Sequence, residues 1–159
     1  MPYVLPVQDL DRDILTLLHD VARMQRTRFD QWARNYAMTR AQGLILVRLE
    51  RKPGLSQNEM AAICEVEPIT IGRLVDRLEA RGLIERRPDP TDRRIKRLHL
   101  LPASAPILAA ISDYRSALYQ FMTDGLDASV QEAVIDALLH MKTKLTMESA
   151  GRMQAVVGG

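Results

Sequence analysis

The side chains best suited to binding chemistry lie in one short stretch near the middle of the chain. Between residues 86 and 97 the sequence has six basic residues and two acidic ones, Asp89 and Asp92. Residues 102–159 are mildly acidic, with four basic and six acidic side chains. Because clustered cations attract phosphates, this asymmetry favours a polyanionic partner at one place on the surface. Taken alone, the cluster is equally compatible with a solvated, charged hairpin.

Spacings typical of catalysis or metal binding do not occur in the sequence. There is no G-x-S-x-G elbow, no H-E-x-x-H pair and no glycine loop that would cradle a phosphate. The three histidines, His19, His99 and His140, are far apart and show no ligand spacing. We therefore expect no enzyme activity, no cofactor and no metal site.

The composition is that of an ordinary globular protein. The chain has 159 residues, 47% hydrophobic and 26% charged, with a net charge of +2. Cys64 is the only cysteine, which excludes an intramolecular disulfide and favours a reducing compartment. No apolar run approaches the roughly 18 residues of a membrane span, and the acidic start does not resemble a signal peptide. We expect a cytoplasmic protein.

Helical periodicity precedes the basic cluster. Residues 10–36 carry an apolar stripe at alternating steps of four and three, which suits packing against another chain. Thr39 and Ser56 each open a capping box and so predict the starts of two further helices. A fourth helix is predicted over residues 67–81, because Pro68 suits a first helical turn and Gly82 suits a left-handed cap.

From residue 83 the period changes from helical to two. Residues 83–87 and 95–101 predict two strands joined by a turn rich in Pro and Asp. Two more helices are predicted, over about 104–123 and from Asp127 onward, with a frayed tail over 151–159. The predicted fold class is mainly α with a small β-hairpin.

Three short helices followed by a basic hairpin are the layout of a winged helix-turn-helix. In that layout the helix over 67–81 enters the major groove of DNA, where base edges can be distinguished. Its inward face is predicted to comprise Ile71, Leu74, Val75 and Leu78. Side chains on its other sides are candidate DNA contacts: Ile69, Thr70, Arg73 and Arg77. Arg73 is the best candidate for bidentate recognition of a guanine, and Thr70 for a phosphate or a thymine methyl.

The hairpin, or wing, would supply a second contact. Arg93 and Arg94 at its tip can enter the minor groove, where negative potential is concentrated. Basic side chains on its stem are predicted to meet phosphates, adding affinity but no sequence information: Arg86, Arg87, Lys96 and Arg97. Ser56 and Gln57, at the start of the third helix, complete the candidate DNA contacts.

Several short motifs occur here together. They are Thr39-x-x-Gln42, the run Arg73-Leu74-Val75-Asp76-Arg77-Leu78-Glu79, Gly82-Leu83-Ile84 and, most specifically, Asp92-x-Arg94. With the 55–101 stretch around them they resemble the MarR family of bacterial transcription regulators, and its SlyA-like members in particular. The order of elements from residue 10 to about residue 148 also agrees.

The resemblance implies a homodimeric winged helix-turn-helix regulator, a ligand-responsive repressor on a pseudo-palindromic operator. We expect dimerisation through residues 1–38 and 102–150, DNA binding through 39–101, and the tail at 151–159. Asp92 and Arg94 would hold the wing in shape, and Arg93 would enter the minor groove. Ile69 and Gly72 depart from the family pattern, which affects the expected base preference and not DNA binding itself.

Two roles outside the DNA contacts follow from the resemblance. Relatives often bind small aromatic or phenolic acids in an apolar pocket, which Trp32, Tyr36 and Tyr114 could line here with Arg23 as the cation. These aromatic side chains could equally belong to the core or the dimer seam. Cys64 lies outside the first helix, where some relatives carry a sensing cysteine, so we expect a buried apolar role rather than redox sensing.

A different class of function stays open. The winged helix could be a protein-interaction module with no operator, in which the basic hairpin binds an acidic partner. Salt-dependent retention on duplex DNA would separate this alternative from a transcription regulator.

Overall fold

The computed structural model describes residues 10–157, and their side chains as far as residue 148. This part of the chain forms six α-helices and one hairpin, in the order α1 (Ile14–Ala33), α2 (Arg40–Arg51), α3 (Gln57–Cys64), α4 (Pro68–Ala80), β1 (Ile84–Pro88), β2 (Lys96–Leu100), α5 (Ala105–Thr123) and α6 (Ala128–Val157). Short 3-10 turns lie at Leu10–Arg12, Arg34–Tyr36 and Pro102–Ser104. The predicted fold class, mainly α with one β-hairpin, is confirmed.

Local hydrogen bonds explain where the short helices begin and end. At α2, the Gln42 amide donates to Thr39 Oγ1 (3.2 Å) and the Thr39 amide donates to Gln42 Oε1 (2.9 Å). Ser56 and Glu59 form the same reciprocal pair at the start of α3, at 3.1 and 2.8 Å. Both predicted capping boxes are therefore confirmed. After α4 the chain turns at Gly82, whose φ of 69° is the left-handed value that favours glycine.

The apolar core lies between α2, α3, α4 and the hairpin. Its largest fully buried side chains are Ile45, Leu46, Leu49, Met60, Ile71, Val75, Leu78, Ile84 and Leu98. The predicted inward face of α4 is confirmed, with Leu74 half-buried against the same cluster. Burying each such side chain contributes roughly 1.5–3 kcal/mol. This core fixes which face of α4 remains in solvent.

The wing comprises β1, β2 and the turn between them. The strands are antiparallel, with Ile84 opposite Leu100 and Pro88 opposite Lys96. The Leu98 amide donates to the Leu55 carbonyl (2.8 Å), so the segment before α3 pairs with the free edge of β2. The stem of the wing is therefore hydrogen-bonded to the residues that open the helix-turn-helix.

Contacts divide the chain into two units, the first ending at Ser112 and the second beginning at Asp113. In the second unit, Gln131 Nε2 donates to the Leu126 carbonyl (2.9 Å) beside the α5–α6 turn. α6 continues to Val157, whereas we expected fraying from Gly151. One glycine costs a helix only about 1 kcal/mol, and residues 152–157 contain neither glycine nor proline. Residues 158 and 159 lie outside the described residues.

Candidate nucleic-acid interface

The solvent face of α4 carries the predicted contacts of that helix. Ile69 is 67% exposed, and Thr70, Arg73 and Arg77 are exposed as well. Among the described residues, neither Arg73 nor Arg77 has an ion pair or a side-chain hydrogen bond. Because the opposite face of α4 is held by the core, these two guanidinium groups are presented to solvent without an internal partner.

At the start of α3 the structure differs from the prediction. Ser56 is only 9% exposed, and its hydroxyl is occupied in capping α3. The Gln57 Oε1 accepts a 2.6 Å hydrogen bond from Arg86 Nε. The Ser56 oxygen thus caps α3, and a DNA contact of this residue stays a prediction. The capping box that located the helix start already assigns this role to its hydroxyl.

Arg86 also has a different environment from the one predicted. Its side chain is 21% exposed, and its guanidinium group contacts Asp76 (2.6 Å) and Glu79 (2.5 Å), both on α4. It donates to Gln57 on α3 and to the Gly72 carbonyl (3.3 Å). Two carboxylates thus neutralise its charge. Arg86 joins β1 to α3 and α4 and is not a free phosphate ligand.

This arrangement also has a signal in the sequence. Asp76 and Glu79 are three residues apart, so they lie on the same side of α4. β1 follows that helix after a tight glycine turn, which brings its third residue, Arg86, back along the helix. A paired acidic face next to a returning basic strand therefore predicts an internal ion pair.

Arg97, on the stem of the wing, is likewise engaged within the protein. Its Nε bonds the carboxylate of Asp89, and its Nη1 donates to the Gly54 carbonyl (2.9 Å) and lies 3.6 Å from Glu59. The expected phosphate contact of Arg97 is thus replaced by contacts that hold the wing. Arg87 lies opposite Arg97 in the antiparallel pairing of β1 with β2. Its side chain is 55% exposed and lies 2.5 Å from Glu85.

The turn of the wing is organised by the Asp89 carboxylate. Its Oδ1 accepts from the Thr91 hydroxyl (2.7 Å), the Thr91 amide (2.8 Å) and the Asp92 amide (3.1 Å), and its Oδ2 accepts from Arg97. These donors stabilise the charged form. They hold the pKa of Asp89 far below its usual range, with the Thr91 hydroxyl the largest cause.

Asp92 and Arg94 make the contact that the resemblance implied. Asp92 Oδ1 accepts from the Arg94 amide (3.0 Å) and from its Nε (3.1 Å), and Oδ2 accepts from its Nη2 (3.3 Å). The Arg94 side-chain bond, followed by its backbone amide, lowers the pKa of Asp92. Arg94 is still 91% exposed, so one edge of its guanidinium group faces solvent.

The cations left without an internal partner form a smaller set than the sequence suggested. In the described part of the chain, Arg93 and Lys96 of the wing are exposed and have no ion pair. Together with Arg73 and Arg77 of α4 they define the free cation set (Arg73, Arg77, Arg93, Lys96). Of the remaining arginines of the wing, Arg86, Arg94 and Arg97 make the contacts described above, whereas Arg87 pairs only with Glu85 at the surface.

Known proteins are similar to this chain in sequence and in fold. A sequence profile of the MarR family matches residues 38–96, from the start of α2 into β2. The regulator YybA of Bacillus subtilis strain 168, named as an HTH-type transcriptional regulator, is 27% identical over 132 residues, covering 83% of this chain and 87% of YybA. The helix-turn-helix and the beginning of β2 thus match the MarR family of transcription regulators, and the chain as a whole is similar to regulators of this kind.

Further regulators are similar to this chain over most of its length. The transcriptional repressor NicR of Pseudomonas putida is 28% identical over 133 residues, covering 84% of each chain. The crystal structure of the transcriptional regulator SlyA is 26% identical, with a TM-score of 0.75, over 86% of this chain and 96% of SlyA. A Staphylococcus aureus MepR–DNA complex shares the fold at 23% identity and a TM-score of 0.71, over 85% and 98%.

The predicted effector residues belong to different parts of the chain. At the end of α1, the ring centroid of Trp32 lies 4.8 Å from that of Tyr36 and 5.3 Å from that of Phe29. Arg23 lies nine residues earlier, about 13 Å along the helix, where it is 3.6 Å from Asp20. Tyr114 belongs to the second unit. Trp32 and Tyr36 are thus brought together, and an effector role for the four residues stays a prediction.

Cys64, at the end of α3, is half-buried and packs against the core. Burial raises the pKa of its thiol, although the nearby charge of Arg48 opposes the shift. A raised pKa means less thiolate and lower reactivity towards oxidants. These features agree with the expected apolar role.

None of the helices in residues 10–157 is both long enough and apolar enough to cross a membrane.

Proposed function

We propose that this MarR-family regulator is a repressor that binds double-stranded DNA as a homodimer, each copy presenting α4 to one half of a pseudo-palindromic operator. The observation that carries the proposal is the free cation set, which is exposed and without internal partners on two adjoining elements. The basic residues Arg86 and Arg97, in contrast, form ion pairs within the protein that hold those elements together. The naming of NicR as a repressor and the MepR–DNA complex support the same assignment.

Each free cation then has a distinct role. Arg73, on the outer face of α4, suits bidentate hydrogen bonding to a guanine in the major groove. Arg77 and Lys96 suit phosphate contacts, which add affinity without reading the sequence. Arg93 at the tip of the wing suits the minor groove, and the exposed edge of Arg94 contributes beside it. Thr70 and Ile69 complete the base-facing surface of α4.

Exposed apolar side chains support the homodimer. On α1 and just before it they include Leu10, Ile14, Leu15, Leu17, Val21 and Met24, all between 42% and 72% exposed. On α6 they include Val130, Val134, Leu138, Leu139 and Leu145, between 43% and 66% exposed. A monomer rarely leaves so much apolar surface in water. We propose that a second copy covers these faces through residues 1–38 and 102–150, leaving 39–101 for DNA.

A small aromatic or phenolic acid remains our proposed effector. The ring cluster of Trp32 and Tyr36 supports an apolar contact surface at the end of α1. Tyr114 and Arg23 are the proposed further contacts. Release of DNA requires such a ligand to bind the non-competent arrangement of the protein more tightly than the competent one. A repressor of this kind acts on chromosomal DNA, so we place it in the cytoplasm.

The decisive experiment is selection of bound duplexes from a random pool, using the full-length protein. We expect enrichment of one inverted repeat and saturation at one dimer per site. Binding should weaken steeply with salt, because each phosphate contact releases counterions. Recovery of no common sequence, with no salt-dependent retention on duplex DNA, would overturn the proposal. An acidic protein partner retained by the wing would then favour the protein-interaction module.

A further inference from the structure

Arg81, the residue that follows α4, reaches back to the end of the first helix. Its Nη2 donates to the Tyr36 carbonyl (2.9 Å) and its Nη1 donates to the Ala37 carbonyl (3.0 Å). The partners lie 45 and 44 residues earlier in the chain. No acidic residue in the described part of the chain pairs with Arg81. The Arg81 side chain therefore joins the C-terminal end of α4 to main-chain carbonyls of the turn after α1.

The turn that receives Arg81 has a defined and unusual backbone. Ala37 has a φ of 49°, one of two positive values among the described residues other than glycine. The Ala37 amide donates to the Arg34 carbonyl (3.1 Å), and the Met38 amide donates to the Ala33 carbonyl (3.1 Å). In this closure no amide of residues 10–157 donates to the carbonyls of residues 36 and 37, which lie after the C-terminal, negative end of the α1 dipole.

Arginine suits this position better than any other side chain. Its planar fork presents two parallel N–H groups, which match two neighbouring carbonyl oxygens. A lysine could supply one donor at a time and would not define an orientation. Met38, directly after the turn, is buried in the core (5% exposed), so the receiving carbonyls are themselves held in place. The contact can therefore fix the position of α4 relative to α1.

We infer that Arg81 is a positioning residue, which fixes α4 relative to α1 and thereby sets the separation of the two recognition helices in the dimer. The inference rests on the proposed function, in which α1 joins the two copies and α4 enters the major groove. Half-site spacing on DNA mirrors the separation of the recognition helices. Loss of the Arg81 contact should therefore change which spacing the dimer accepts.

The test measures binding to a family of related duplexes. It uses the inverted repeat that the wild type enriches, versions with the central spacer changed by one or two base pairs, and a duplex with a single half-site. Arg81→Ala should lower affinity for the enriched spacing roughly tenfold, the loss expected when a charge-assisted hydrogen bond disappears. Affinity for altered spacers and for the single half-site should stay within roughly twofold of the wild type.

Two further variants separate positioning from charge and from folding. Arg34→Ala removes an exposed arginine of the same turn whose side chain has no partner in the described part of the chain, and it should keep the wild-type spacing preference. Arg81→Lys keeps the charge and one donor, and should restore part of the preference. Circular dichroism confirms the fold of each variant, and Arg81→Lys carries the test if Arg81→Ala is unfolded.

The outcomes distinguish the two levels of the proposal. A folded Arg81 variant that keeps the wild-type spacing preference overturns the positioning role. An equal loss on every duplex, including the single half-site, also overturns it, because that is the signature of a lost phosphate contact or of a destabilised fold. If the wild type enriches no inverted repeat, the proposed function itself fails and this inference falls with it.

Discussion

Arg86 on β1 and Gln57 on α3 are joined by a 2.6 Å hydrogen bond from Nε to Oε1. The same guanidinium group pairs with Asp76 and Glu79 of α4, so one side chain connects the wing to both helices of the helix-turn-helix. We call these four residues the Arg86 cluster. Because α4 and the wing would approach different grooves of the duplex, a fixed relation between them is a condition for binding with both at once.

Replacement of Arg86 should therefore destabilise the fold. The Arg86 side chain is only 21% exposed. Arg86→Ala removes the donor that two carboxylates and the Gln57 side chain share. We expect a loss of about 2 kcal/mol in the free energy of unfolding, less than for a fully buried pair because the two carboxylates reach solvent. Urea titration at fixed protein concentration measures the loss.

Arg87→Ala is the matched control, since it removes the next arginine of the same strand. Arg87 is 55% exposed and pairs with Glu85 at the surface. Such pairs contribute about 0–1 kcal/mol, so this variant should unfold close to the wild type. Equal stability of the two variants would show that the Arg86 cluster does not hold the wing.

The wing should also lose stability in acid. Asp89, Asp92 and Glu59 have pKa values below their usual range, mainly because of hydrogen bonds from Thr91, Arg94 and Ser56 respectively. A lowered carboxyl pKa contributes stability that is present above the unfolded value of about 4 and is lost as the pH falls below it. Urea midpoints measured from pH 7 to pH 3 should fall mainly in the lowest part of that range.

Asp89→Asn tests whether this dependence comes from the turn. The variant has no carboxylate to form an ion pair with Arg97, so it should be less stable than the wild type at pH 7, and the difference should shrink towards pH 3. Asp124→Asn alters an exposed aspartate with no partner in the described residues and serves as control. A wild-type advantage over Asp89→Asn that is constant with pH would rule out this carboxylate as the source.

The helices and the hairpin could be predicted because their signals are local. The capping boxes at Thr39 and Ser56 depend on residues three apart, and the inward face of α4 follows from its 3.6-residue period. The Asp92–Arg94 pair spans only two residues, so a motif was enough to indicate it. Short-range hydrogen bonds and burial determine these features, and both leave a pattern in the sequence.

Which basic side chains of the interface stay free does not follow from the run of arginines alone. A run of arginines gives no direct indication of which ones meet carboxylates brought close by the fold. Arg86 finds Asp76 and Glu79, and Arg97 finds Asp89, only after β1 folds back on α4 and β2 pairs with β1. Arg81 contacts a main-chain carbonyl, that of Tyr36, and every residue type has such a carbonyl. This contact therefore leaves no pattern in the sequence.

Gly72 in α4 departs from the family pattern, and its replacement by alanine should increase stability. A Cβ added at Gly72 would meet only Gln57 Nε2, at 3.7 Å, which is ordinary contact. Gly72→Ala should therefore stabilise the protein by up to about 1 kcal/mol, the difference in helix propensity. Gly82→Ala is the contrast, since its Cβ meets nothing within 4 Å but its φ is 69°. That variant should lose about 1 kcal/mol through backbone strain.

Thermal unfolding of the two variants at equal concentration decides the point. Opposite shifts in Tm are expected. A decrease for Gly72→Ala would mean that this position needs backbone freedom that the helical geometry does not reveal.

Two members of the free cation set should affect DNA binding in different ways. Arg73→Ala removes the proposed guanine contact, so affinity for the selected duplex should fall by about 1–3 kcal/mol while base preference at that position relaxes. Arg93→Ala removes a contact at the tip of the wing that does not select a base. It should weaken binding to every duplex alike and reduce the slope of log affinity against log salt by about one unit.

Titrations at several salt concentrations, on the selected duplex and on one with the proposed guanine replaced, measure both quantities. Arg34→Ala removes one exposed positive charge that belongs to neither α4 nor the wing, and it should change neither quantity. If Arg93→Ala leaves the salt slope unaltered, the tip of the wing does not lie on the DNA. If Arg73→Ala discriminates between the two duplexes as strongly as the wild type, base recognition belongs to another side chain of α4, and Thr70 and Arg77 are the remaining polar candidates on its exposed face.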